Sequence, residues 1–342
     1  MALQRMKTAR PKAVRWQWAA AITGVALVAA GWGYQQTTAL DPGSHVVKYL
    51  KVTPGMSASS IGYQLGKMHV IRSALAFNVM SRIGNTSTHL NVGVYRVSPR
   101  DTVKQILQRI GSGDVVVTRV TIPEGYTVHQ IIARLLAAHI GTAAAYRHLQ
   151  EHPLPGMPAP SAGTKDPLEG YLFPSTYSFP RGTTATQAVT TMWNTFKARA
   201  LPLYHRASSK MTLKQWVTLA SIVQMEARSA QDAPKIAAVF LNREAAHMPF
   251  QSDATVRYAL GEPSVSGLTY GDLRIKSPYN TYRTVGYPPG PISNPGMTML
   301  KAALHPAHVS YLYFLTLRSG KVLYATTYAQ HLANIAWANA HP

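Results

Sequence analysis

The chain of 342 residues contains no cysteine. That excludes disulfides, thiol nucleophiles and thiolate metal centres together, and it is compatible with an exported protein that relies on its core alone. Acidic side chains are scarce as well, 13 against 34 lysines and arginines, for a formal charge of +21. So basic a chain implies an anionic partner. Nucleic acid is the default for a soluble protein of this charge, whereas an exported one meets cell-wall polymer or anionic lipid. A shortage of acids also fits an acidic exterior, where native carboxylates become a stability liability.

No acid occurs before Asp41, while Arg5, Lys7, Arg10, Lys12 and Arg15 precede an uncharged run of 19 residues from Trp16 to Tyr34. As a helix that run spans roughly 28 Å, close to the hydrocarbon thickness of a bilayer. Trp16, Trp18, Trp32 and Tyr34 stand at its ends as interface aromatics, and the basic side is expected to stay in the cytoplasm. A cleaved signal peptide is the competing reading, since Ala29-Ala30-Gly31 is a small-residue stretch after an apolar run. Both readings export the remainder. Without the five basic residues before Trp16, the count is still 29 against 13, about +16.

Beyond a linker from Gln35 to Ser44, three segments share one pattern, in which a turn is followed by a hydroxyl residue and then by apolar residues four and eight places on. Ser57 leads to Ile61 and Leu65, Thr102 to Ile106 and Ile110, and Thr127 to Ile131 and Leu135. Each hydroxyl is placed to accept orphan amide protons at a helix start, and each apolar pair supplies a buried face. The β-branched runs Val46 to Val52, Val92 to Val97 and Val115 to Ile122 are the candidate strands. Ordinary α+β packing accounts for these signals without any motif-level function. Glu151 to Pro160 holds four prolines and reads as a loop.

Thr212-Leu-Lys-Gln215 is a capping-box pattern, and it opens a helix through Leu213, Trp216, Val217, Leu219, Ala220, Ile222, Val223 and Ala227. At 100° per residue Glu226 falls between Ile222 and Leu219, away from the face of Lys214, Ser221 and Met225. An acid so placed is partly desolvated, which raises its pKa toward what a general acid needs near neutral pH. The alternative is a frayed helix end with Glu226 in water or paired with Arg228.

Loops rich in aromatic, amide and hydroxyl groups follow the same chain: Leu168 to Tyr177, Asn242-Arg243, Gln251 to Val256, and Ser277 to Tyr282. Such groups suit a carbohydrate groove, with rings stacked on sugar faces and amides meeting hydroxyl and acetamido groups. Any one of them alone reads equally well as a structural turn.

Taken in order, Ile122-Pro-Glu-Gly-Tyr-Thr127, Leu168-Glu-Gly-Tyr-Leu-Phe-Pro174, Ala220-Ser-Ile-Val-Gln-Met-Glu-Ala227, Ser277-Pro-Tyr-Asn-Thr-Tyr282 and Gly286-Tyr-Pro-Pro-Gly-Pro-Ile-Ser-Asn-Pro-Gly296 resemble the MltG-like (YceG-like) endolytic murein transglycosylases. The resemblance runs from the N-terminal segment to an expected strand at Tyr311 to Phe314. It implies an α+β protein: a basic tail over residues 1–15, a single transmembrane helix over 16–34, a small LysM-like α/β module over 45–117, and a mixed α+β catalytic domain over 118–342. It also implies a single-pass protein of the cytoplasmic membrane with its catalytic domain in the periplasm or outside, and peptidoglycan synthases and other elongation or division proteins as partners.

The implied reaction cuts MurNAc-β-1,4-GlcNAc bonds in glycan strands and leaves 1,6-anhydroMurNAc ends. It uses one carboxylate twice and needs neither cofactor nor metal, unlike the two-carboxylate scheme of most glycosidases. Glu226 is the expected acid and base. Substrate-binding roles are expected for Glu169, Tyr171, Gln224, Asn242, Gln251, Ser252, Asp253, Thr255, Tyr279, Asn280, Thr281 and Tyr282. The family usually shows Glu-x-Glu where this chain has Gln224-Met225-Glu226, so activity here requires the second position to hold the acid. Two rivals stand: a hydrolase with Asp253 or Glu169 as second carboxylate, and an inactive wall-binding scaffold in which Gln224 marks decay. Nucleic-acid binding is weaker, because no recognised motif supports it.

Overall fold

A computed structural model describes residues 12–84, 90–261 and 267–341, with side chains from residue 22 onward. Most of the basic tail lies outside the described residues. Helix α1 covers Lys12–Thr37. Among the described residues no helix is long and apolar enough to cross a membrane; the side chains of residues 12–21, Trp16 and Trp18 among them, lie outside the described residues.

The chain divides into two compact units, residues 1–117 and 118–342. After α1, the first contains β1 (Lys48–Val52), α2 (Ala58–Lys67), α3 (Ala74–Ile83), β2 (Gly93–Val97) and α4 (Val103–Ser112). The two strands pair antiparallel with Leu50 opposite Tyr95 and Val52 opposite Gly93. Their period-2 alternation sends Leu50, Val52, Tyr95 and Val97 inward, where Ile61 and Leu65 of α2, Phe77 of α3, and Ile106 and Ile110 of α4 complete the core. The expected caps are present, since Ser57 and Thr102 each accept from the backbone amide three residues on. Gly62 lets α2 and α3 close together, because a Cβ there would stand 3.0 Å from the Ala74 carbonyl oxygen.

The second unit begins within β3 (Val117–Thr121), from its second residue, and continues through α5 (Val128–Ala137), capped by Thr127, α6 (Ala143–Glu151), β4 (Thr176–Pro180), α7 (Ala185–Arg199) and α8 (Leu201–Arg206). Strands β3 and β4 pair, and Ile131, Leu135, Tyr146, Val189 and Met192 pack into one core cluster beside them. The remaining elements are α9 (Leu213–Glu226), α10 (Ala233–Ala245), α11 (Asp253–Leu260), α12 (Met297–Leu304), the antiparallel hairpin β5 (Tyr313–Thr316) and β6 (Val322–Ala325), and α13 (Tyr328–Ala340).

Helix α9 opens on the expected capping box between Thr212 and Gln215. Its burial corrects the expectation of a polar face, because every residue from Trp216 to Val223 is buried, Ser221 included. Ser221 is accommodated by hydrogen bonds: its hydroxyl donates to the Thr218 carbonyl at 2.7 Å and accepts from the Ile292 amide at 3.1 Å. Packing against α10 and α12 on its flanks makes α9 the axis of this unit, with the Trp216 indole donating to the Leu300 carbonyl at 2.8 Å.

Candidate active site

Glu226 is the last residue of α9, where the helix leaves the core. It lines a cavity of about 320 Å³ with Thr127, Met225, Asp253, Ala254, Arg257, Tyr258 and Ile292. A larger hollow of about 400 Å³, near Lys210, Glu244 and His305, lies away from these residues. Chemistry singles out the smaller one, because the carboxyl lining it ends α9 and has its pKa raised by burial. The Glu226 carboxylate accepts a 2.6 Å hydrogen bond from the Ser252 hydroxyl, which sets aside a frayed, solvated helix end. Burial raises its pKa; the Ser252 hydrogen bond opposes that, nearby Asp253 adds to it, and the Ala254 amide and Arg257 pull downward. The net direction is upward.

The loop that presents Ser252 is held in an unusual backbone state. Gln251 has φ of +54°, in the left-handed region that costs a side-chain-bearing residue roughly 1–2 kcal/mol. Its amide donates to the Thr281 carbonyl at 3.0 Å. Arg243, projecting from α10, donates to the carbonyls of Pro249 and Phe250 and to the Gln251 side chain at 3.2, 2.7 and 3.2 Å. The Ser252 amide donates to the Thr281 hydroxyl at 3.1 Å, and the hydroxyls of Thr255 and Thr281 lie 2.8 Å apart. Thr255 and Thr281 are therefore buried supports beneath Ser252.

Asp253 opens α11 and accepts from the Tyr282 hydroxyl at 2.7 Å. Burial and the hydrogen bond to Asp253 raise the Tyr282 pKa, so it stays a neutral donor. Of the residues expected from sequence, then, Glu226 and Asp253 line one cavity, Ser252 and Tyr282 hydrogen-bond to them, and Gln251, Thr255 and Thr281 support Ser252. Sequence reasoning missed Arg257 and Thr127 on the cavity wall. Arg257 stands four residues after Asp253 on α11, a spacing that puts both on one helix face.

Several other expected site residues lie away from this cavity's lining. Tyr171 and Tyr279 are 3% and 2% exposed and offer no open ring to a sugar. Tyr171 packs edge-on to Trp193 and Phe196, and Tyr279 lies against Tyr258. Asn280 is buried, donating to the carbonyls of Leu273 and Ile275 and accepting from the Tyr282 amide, so it staples its own loop. Asn242 donates to the carbonyls of Val309 and Tyr311 and anchors the segment before β5. Gln224 accepts from the Gly296 amide at 2.9 Å.

Glu169 is buried at the start of α5, where both carboxylate oxygens lie 3.1 Å from the Val128 amide and one accepts from Asn294 at 2.9 Å. Burial first, and Asp166 second, raise its pKa well above 4.5. Asn294 joins three of the sequence motifs: its amide and its side-chain nitrogen both donate to the Tyr126 carbonyl, and its side-chain oxygen accepts from the Leu172 amide. Between them Gly170, at φ +88°, has room for no Cβ, which would meet Pro291 at 2.6 Å and Val217 at 2.7 Å. Motif density here builds scaffold more than it builds groove.

Comparison with known proteins follows the same residues. Residues 50–337 match the YceG-like family. A Bacillus subtilis protein named endolytic murein transglycosylase is 32% identical over 298 residues, covering 82% of this chain and 82% of its own. A Streptococcus pneumoniae protein of the same name is 30% identical over 349 residues, covering 91% of this chain and 63% of its own, so this chain spans under two thirds of it. A crystal structure of a yceG-like protein from Listeria monocytogenes matches with TM-score 0.57 at 35% identity, over 85% of this chain and 99% of that one.

Proposed function

This chain belongs to the YceG-like family, and from that premise we propose that it is an endolytic murein transglycosylase with Glu226 as acid and base. It cuts MurNAc-β-1,4-GlcNAc bonds within glycan strands. The observation that carries the site assignment is a half-buried Glu226, its pKa raised by burial, hydrogen-bonded by Ser252 inside a cavity of about 320 Å³.

Protonated Glu226 gives its proton to the glycosidic oxygen as the bond to C1 breaks. The resulting carboxylate takes the proton of the MurNAc C6 hydroxyl, whose oxygen bonds to C1 and closes the 1,6-anhydro ring. No water is consumed and Glu226 ends protonated, ready for the next cut. Ser252 steadies the carboxylate in the intermediate stage, when it is charged. Asp253, which accepts from Tyr282, lines the same cavity, where its carboxylate can offset the oxocarbenium-like positive charge developing on the sugar.

Asp253 also keeps the hydrolase as a second reading, because it lines the same cavity as Glu226. Digestion of purified peptidoglycan with wild type and with Glu226→Gln, followed by mass spectrometry, separates the readings. Anhydro-ended products from wild type alone support the transglycosylase. Products heavier by one water make it a hydrolase, and equal cleavage by Glu226→Gln removes Glu226 from the chemistry.

We further infer that residues 16–34 of α1 anchor the chain in the cytoplasmic membrane, N-terminus inside, with residues 45–117 as a LysM-like module and 118–342 as the catalytic domain outside. Support comes from the five basic residues preceding an uncharged run and from the continuity of α1 over Lys12–Thr37. Peptidoglycan synthases and other elongation or division proteins are the partners this placement favours.

A further inference from the structure

The last turn of α6 carries His148 and Glu151, and His152 follows as its C-cap. All three are exposed, and one ligand atom from each lies within 4.8 Å of the others. The two imidazoles stack with centroids 4.6 Å apart and planes inclined by 30°, so they already share one face of the helix. The turn beneath them is closed, with the His152 amide donating to the His148 carbonyl at 2.8 Å.

From this geometry we propose that His148, Glu151 and His152 form a binding site for a divalent transition-metal ion such as Zn²⁺. Two imidazoles four residues apart and a carboxylate one turn along supply the nitrogen and oxygen ligands these ions select, leaving a further position for water. The ligand atoms must draw in to bond lengths of about 2.0–2.2 Å, and exposed side chains are free to rotate that far. A cation here also meets the negative end of the helix, where the Glu151 carboxylate alone is unfavourably placed.

None of the three residues lines the Glu226 cavity. The turn that carries them nonetheless contributes Gln150 to a second cavity. Gln150, between two of the ligands, donates to Asp166 at 2.6 Å. Gln150, Asp166, Lys165 and Glu169 line a second cavity of about 280 Å³ that shares Thr127 and Tyr258 with the catalytic one. Metal binding clamps the turn that sets this wall.

Calorimetric titration of the full chain in detergent with Zn²⁺, and absorption spectroscopy with Co²⁺, test the site. The expected result is saturable binding to wild type that weakens about tenfold or more in His148→Ala and in His152→Ala, with Mg²⁺ failing to compete. Because these side chains are exposed, both variants should melt like wild type without metal, which separates lost ligands from lost folding. Wild type that binds no Zn²⁺, or variants that bind it as tightly as wild type, would overturn the proposal; the second outcome places the ion on other histidines among the 13 in the chain.

Discussion

The Ser252 hydroxyl donates to Oε1 of Glu226 at 2.6 Å, joining the first loop residue before α11 to the last residue of α9. Neither residue could hold this geometry alone. Ser252 is aimed by the left-handed Gln251, and Gln251 is held by Arg243 and by Thr281. The pair sets both where the carboxylate points and how readily it ionises.

Replacing Ser252 by alanine removes a group that lowers the Glu226 pKa. The pKa should therefore rise, and the alkaline limb of the activity profile, where the catalytic proton is lost, should move to higher pH. Looser aim of the carboxylate should cut the maximal rate by up to about 100-fold. A pH profile of anhydro-muropeptide release checks both. An unmoved limb with a lowered rate would reduce Ser252 to a packing role.

Gln224 occupies the position where the family usually carries another acid, and its oxygen is the acceptor for the Gly296 amide. Gln224→Leu leaves that amide without its acceptor and should cost about 1–3 kcal/mol of stability, read as a lower Tm. Gln224→Glu keeps an acceptor there and should remain active. The decisive combination is Gln224→Glu with Glu226→Gln, which should cleave nothing. Cleavage by the double variant would mean that the first position can serve as the acid.

Glu169 has a folded pKa well above its ordinary 4.5. Below that value both folded and unfolded chains hold the proton and burial carries no penalty. As pH rises through the gap the unfolded chain ionises while the folded one does not, so stability falls by about 1.4 kcal/mol per pH unit until the folded pKa is passed. Glu169→Gln cannot ionise, and the difference in unfolding free energy between it and wild type should slope in this sense above pH 4.5. Denaturant melts across pH check it, and a flat difference would show that Glu169 ionises as freely in the fold as out of it.

Local signals carried far in this chain because they depend on near neighbours. A hydroxyl followed by apolar residues at helical spacing places a cap and a buried stripe together, so Ser57, Thr102, Thr127 and Thr212 each begin a helix as expected. Alternating β-branched runs likewise located β1 and β2, and the apolar bias around Glu226 located a carboxyl that burial would tune. What periodicity could not show was which polar residue turns toward the cavity and which toward backbone. Asn242, Asn280 and Asn294 are chemically fit to meet a sugar, yet backbone groups claim them, within its own loop for Asn280 and far along the chain for the other two, as Val309 claims Asn242 from 67 residues away. Ser221 was assigned to a polar face by an angle on one helix, but α10 and α12 enclose that helix, and the Ile292 amide satisfies the hydroxyl in the core. The sequence by itself determined four helix starts with their caps and the placing of an acid among apolar residues at the end of α9, because those follow from residue type and spacing. Only the tertiary structure decided that Ser252 rather than Arg228 partners that acid, because the choice depends on which distant loop is folded against the end of α9.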